Sequence, residues 1–189
     1  MSRLAILVAT GALALFTAGV AFAAEVGGVK LDDKVSLGGQ ELILNGAGIR
    51  SRVVFKVYVA SLYLPQKAKD LPGVLGKTPR RIQMNMLRAL SAEQLVDALN
   101  EGLAENNSPA EMATVKNQAE QLSSIMKAFR EVKEGDVVTL DFVDGGTGVT
   151  LNGETKGTIS GDAFNQALTR IWLGDKPVQA DLKKALLGG

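Results

Sequence analysis

The sequence contains no cysteine and no histidine. Without cysteine there is no disulfide, no thiol nucleophile and no thiolate metal site, so the fold has to be held by packing alone. Without histidine the usual general base near neutral pH and the commonest transition-metal ligand are both missing. Ser-His-Asp hydrolysis, histidine-ligated zinc chemistry and haem ligation by histidine are excluded, and any catalysis would rest on Arg, Lys, Tyr, Asp or Glu. Charge of one sign is lacking as well: 21 basic residues stand against 20 acidic ones. Nucleic acid or an anionic membrane would need a concentrated basic stripe, and none is legible, so no nucleic-acid partner is expected. The pairs Arg80-Arg81 and Lys183-Lys184 read as solvated edges. Asp32, Asp33, Asp136, Asp141 and Asp144 do not follow the EF-hand spacing and read as turn and surface residues. No metal and no cofactor is expected.

Long apolar runs are also scarce, with one exception at the start. Arg3 supplies a short positive region, Leu4 to Val20 form an apolar run, and Ala21-Phe22-Ala23 has the small-x-small form of a cleavage site. A single membrane anchor is the rival reading. The run is short for a span, however, and no Lys or Arg cluster stops it. We therefore expect a signal peptide over residues 1–23 cleaved after Ala23. That leaves one domain over residues 24–189, exported to the periplasm or secreted, without stable membrane insertion. A domain of that length buries about 70% of its unfolded-chain surface.

The exported part opens with glycine-punctuated strand signals: Val26-Gly27-Gly28, Val35 to Leu37 before Gly38-Gly39, and Glu41 to Leu44. Val53 to Leu64 reads as a long strand covered on both faces. A loop with Pro65, Pro72 and Pro79 precedes Arg81 to Leu87, where Ile82, Met84 and Met86 alternate with Gln83, Asn85 and Leu87 as in a half-buried strand. Ser91-Ala92-Glu93-Gln94 and Ser108-Pro109-Ala110-Glu111 are capping boxes. The first opens a helix carrying Leu95, Leu99 and Leu103. The second opens a longer one with Met112, Val115, Ala119, Leu122, Met126 and Phe129 at helical spacing. Val137 to Val143, Val149 to Leu151 and Thr155 to Ile159 form a meander, with Asn152-Gly153 as a hairpin turn. Two helices close the chain, one through Phe164, Leu168 and Ile171, the other over about Gln179 to Leu187. Without βαβ alternation, this order predicts an α+β domain with a curved antiparallel sheet packed by helices.

The most informative stretch runs from Leu44 to Gln66. A glycine-rich turn is expected to deliver Arg50 to the start of a strongly apolar, β-branched run, where a guanidinium either stays in water or needs an anionic partner. In an unbroken strand Arg50, Arg52 and Tyr58 share a face, so either arginine could meet a ligand; Lys56 falls on that face too and snorkels outward. The plainer alternative is that Arg50 pairs with a carboxylate or caps carbonyls and that Tyr58 is a core aromatic. Trp172 and Asp175, in RIWLGDKP, read as a helix-ending packing motif. No short catalytic motif is present; Asp144 to Gly148 is glycine-rich but reads as a hairpin turn.

GAGIR at Gly46 to Arg50 and FKVYVASLYLP at Phe55 to Pro65 resemble the chalcone isomerase-like superfamily, most closely its bacterial exported branch. The likeness continues in LSAEQLVDALNEG at Leu90 to Gly102 and in the segment from Ala163 to Gly188. The resemblance implies an open-faced sandwich of antiparallel sheet and helices. It also implies one of two chemistries: ring closure on an enone or phenolic substrate, or non-catalytic binding of a fatty acid. Arg50 stands where the enzymes keep the arginine that stabilises developing negative charge. Tyr58 takes the place of their threonine, and fatty-acid-binding relatives pair the arginine with a tyrosine there. Leu95, Ala98 and Gly102 occupy the places of the enzymes' tyrosine, lysine and asparagine.

Ring closure needs several oriented donors, which Leu95 and Ala98 do not offer. An arginine at the end of an apolar cleft suits an amphiphile with one anionic head: guanidinium and phenol hold the carboxylate, and each buried methylene of the tail adds about 0.8 kcal/mol. The expected ligand site is therefore Arg50, Tyr58 and Arg52 at the end of an enclosed apolar cavity, without catalytic residues, for a fatty acid or similar apolar carboxylate. An intramolecular lyase or isomerase, and a structural or partner-binding protein with a filled interior and an exposed apolar patch, are the alternatives.

Overall fold

The computed structural model describes residues 24–76 and 78–189; the expected signal peptide lies outside them. The chain runs β1 (Ala24–Val26), β2 (Val29–Leu31), β3 (Lys34–Leu37), β4 (Gln40–Arg52), β5 (Phe55–Leu64), α1 (Leu71–Leu75), β6 (Arg80–Met86) and β7 (Leu90–Ser91). It continues with α2 (Ala92–Asn106), α3 (Pro109–Phe129), β8 (Glu131–Val132), β9 (Val137–Val143), β10 (Gly146–Leu151), β11 (Glu154–Ser160), α4 (Asp162–Leu173) and α5 (Ala180–Leu186). A seven-stranded antiparallel sheet in the order β11-β10-β9-β6-β5-β4-β3 curls around the helices. The fold class is the expected α+β.

Local sequence accounts for much of this. Both capping boxes are formed, Ser91 with Gln94 and Ser108 with Glu111, and each satisfies two otherwise unpaired N–H groups at a helix start. β6 alternates buried and half-buried positions along its whole length, with Ile82, Met84 and Met86 inward. Asn152 and Gly153 both take positive φ, as a two-residue turn matched to strand twist requires.

The even-numbered residues of β5, Ala60, Leu62 and Leu64, join Ile82, Leu140, Phe164 and Leu168 in the main core under the helices. Burying each large side chain there contributes roughly 1.5–3 kcal/mol. The opposite face around Val59 and Tyr63 is covered by the β1–β2 hairpin: Gly27 sits against Ile49 and Val59, and the Tyr63 hydroxyl donates to the Asp32 carbonyl at 3.0 Å.

Several expectations are corrected. Gly46 and Gly48 do not form a turn. They lie inside β4, which runs unbroken to Arg52. Their bareness admits α5, since a Cβ on Gly46 would stand 2.1 Å from the Ala185 carbonyl oxygen and one on Gly48 would stand 2.8 Å from the Ala185 Cβ. Val53 and Val54 belong to the β4–β5 turn, and β5 starts at Phe55. The proline-rich loop holds a five-residue helix, α1, capped by the Asp70 side chain on the Gly73 N–H. Arg80 and Arg81 are not solvated edges: Arg80 is 2% exposed and Arg81 is paired with Asp141, which is itself buried and no surface residue.

Candidate ligand site

Arg50 and Tyr58 are direct neighbours across the β4–β5 ladder and share the helix-covered face. Tyr58 in turn lies opposite Met86 on β6. From α4, the Trp172 indole N–H donates to the Tyr58 hydroxyl at 3.1 Å. From the N-terminal end of α5, Gln179 clamps the strand: its side-chain oxygen accepts from the Ser51 N–H at 2.8 Å and from Arg50 Nη1 at 3.4 Å, while its Nε2 donates to the Ile49 carbonyl at 3.4 Å. Arg50 also donates to the carbonyl of Ser51.

The guanidinium of Arg50 is thus half-buried and met only by neutral oxygens, and none of the ion pairs among the described residues includes it. Burial pushes the Tyr58 hydroxyl above its usual pKa of 10.0, while the Trp172 hydrogen bond and the Arg50 charge pull it back. The phenol is therefore a neutral donor and acceptor at physiological pH.

Arg52 does not join this pair. A bulge after Arg50 shifts the register, setting Ser51 opposite Lys56 and Arg52 opposite Phe55. Lys56 is thereby carried to the face of Ser51 rather than that of Tyr58. Arg52 and Lys56 are both exposed. Sequence reasoning missed the two side chains that complete the site: Trp172, read as packing, and Gln179, read only as a helix start. Trp172 stood out as the sole tryptophan, whereas nothing local marks Gln179.

The expected enclosed cavity at Arg50 and Tyr58 is not among the two open spaces that stand out in the described residues. The larger, about 690 Å³, is an open groove between α2 and α3 lined by Val96, Met112, Ala113, Lys116, Ala119 and Lys127. The smaller, about 110 Å³, lies by Arg170. Trp172, the hydrogen-bond partner of Tyr58, is only 6% exposed.

The sequence matches a family described as chalcone isomerase-like over residues 23–188. The chain belongs to the chalcone isomerase-like family. Among solved structures, a fatty-acid binding protein of Arabidopsis thaliana has a similar fold, with a TM-score of 0.64, 12% sequence identity, and coverage of 85% of this chain and 92% of that one. No curated protein matches the sequence.

On this chalcone isomerase-like chain, the α2 positions that would carry a polar wall serve other ends. Leu95 is half-buried against the core and Ala98 is exposed. Gly102 is buried where an added Cβ would stand 2.8 Å from Ile171, so its bareness sets how closely α2 and α4 approach. None of the three supplies a side-chain donor.

Proposed function

We propose that this is an exported, non-catalytic binding protein for a fatty acid or similar apolar carboxylate, with the headgroup at Arg50 and Tyr58. One observation carries the reading: a half-buried guanidinium on the helix-covered face, next to a neutral phenol, whose acceptors are all uncharged. A carboxylate is a stronger acceptor for guanidinium than a carbonyl or amide, and exchanging the Gln179 contact for a bidentate ionic one strengthens the binding of the head. The tail would enter between β5 and α4, displacing the Trp172 indole from Tyr58 and exchanging one apolar contact for another. The fatty-acid binding activity of the Arabidopsis neighbour agrees with this assignment.

Native mass spectrometry of protein released gently from the periplasm is the direct test. A retained fatty acid, lost in Arg50→Ala, is the expected result. A bare chain that also ignores added laurate and palmitate rejects the proposal.

A second reading draws on the buried Trp172 bonded to Tyr58 and on the exposed Val53, Val54 and Phe55. These are the marks of a partner-binding protein without a small-molecule ligand. It is favoured if the chain stays bare.

A further inference from the structure

The β4–β5 hairpin ends in the most exposed apolar cluster among the described residues: Val53, Val54 and Phe55 are 92%, 80% and 58% exposed. The backbone makes the choice of residues more telling. Val53 holds φ +57, a conformation costly for a β-branched residue, whereas the other two-residue hairpin turns among the described residues reserve positive φ for glycine or asparagine, as at Gly27, Gly38, Gly145 and Asn152. Glycine or asparagine would relieve the strain, and an apolar side chain stands there instead.

Cations surround the tip. The exposed Arg52 and Lys56 flank it on the two strands, and the exposed Arg88 lays its guanidinium over the Phe55 ring, 4.9 Å from the centroid. From residue 42 to residue 69 the chain has no Asp or Glu. The adjoining β8–β9 loop carries Glu134 and Asp136, and Asp136 is engaged with the Lys133 N–H and the Asn152 amide. None of these three cations belongs to an ion pair among the described residues. The balanced charge of the whole chain conceals this local excess.

We propose that the hairpin tip docks on an anionic phospholipid surface, inserting Val53, Val54 and Phe55 below the headgroups while Arg52, Lys56 and Arg88 meet the phosphates. Charge complementarity selects this occupant. A protein partner is disfavoured by size, since three side chains on a narrow turn fall far short of the roughly 800 Å² per side that a stable protein interface buries. The docking does not depend on the ligand reading, although the tip begins three positions after Arg50.

The test is sedimentation of protein comprising residues 24–189 with vesicles of phosphatidylcholine alone or mixed with phosphatidylglycerol. Binding is expected only to the mixed vesicles, weakening as salt screens the charges. The Val53→Asp/Val54→Asp variant should lose at least roughly tenfold of it, with thermal unfolding unchanged. Arg52→Glu, a substitution of an exposed side chain, should also weaken binding and keeps the test open if the double variant fails to fold. No binding to the mixed vesicles at low salt, equal binding to neutral vesicles, or full binding by both variants overturns the proposal. So does a tip-dependent dimer that leaves vesicles untouched. Fatty-acid retention is read separately, so either result stands when the other fails.

Discussion

Arg81 and Arg50, near opposite ends of the sheet, are treated in opposite ways. At the end where β6 begins, Arg81 meets Asp141 through two hydrogen bonds of 2.5 and 2.8 Å. Beside it, Arg80 lies over the Phe142 ring and donates to the Thr169 hydroxyl at 3.0 Å. Burial brings the Arg80 pKa down to about 10. Asn165 closes the same end, donating to the carbonyls of Val143 and Gly146 at 3.1 Å and accepting from Thr147. At the far end Arg50 meets only neutral oxygens, and past it the hairpin puts Val53 and Val54 into solvent. Charge neutralised inside the fold is a structural device. Arg50, half-buried without a counterion, is the charge that the proposed carboxylate would meet.

The sharpest way to break that contrast is Arg81→Ala. It strands a largely buried Asp141 carboxylate, and we expect a loss of about 3 kcal/mol in chemical denaturation. Arg50→Ala, on the same measurement, should change stability by less than about 1 kcal/mol, because Gln179 still holds the Ser51 N–H and no buried charge is orphaned. Equal losses for the two would erase the distinction between the ends.

The smallest effect is read by alkaline titration of tyrosinate absorbance. The chain has two tyrosines, Tyr58 and Tyr63, and burial raises both above 10.0. The folded chain therefore keeps phenolic protons that the unfolded chain has begun to release. The stability this contributes is full below pH 10 and is lost as pH rises through the native titration. Arg50→Ala and Trp172→Phe each remove an influence that lowers the Tyr58 pKa and should move its titration further up. A downward move in either variant would contradict the geometry described.

Local patterns in the sequence were legible where one segment decides its own structure. The alternation of β6, both capping boxes, the Asn152-Gly153 turn and the apolar stripe of α3 needed no distant partner. Gly46 and Gly48 were misread because their reason lies in Ala185, across the whole chain; a bare backbone that receives a helix looks the same in sequence as a turn. The bulge after Arg50 leaves no trace in composition, yet it decides that Lys56 leaves the face of Tyr58. Arg80 was read as solvated because its partners, Thr169 and Phe142, come from two other elements. The resemblance drew attention to Arg50 and Tyr58, and only the folded chain adds Trp172 and Gln179 around them.

The seat of α5 on Gly46 and Gly48 also sets an order of assembly. Every strand of the sheet is synthesised before α5, so β4 waits with a strip of naked main chain until the last helix arrives. Asn45 then ties the two together, donating to the Leu186 carbonyl at 2.7 Å and to the Ala68 carbonyl at 3.0 Å. Gln179 reaches Arg50 only when that latch closes. A nascent chain stopped before residue 179 would carry Arg50 without its Gln179 contact, and that end of the sheet is therefore the part completed last.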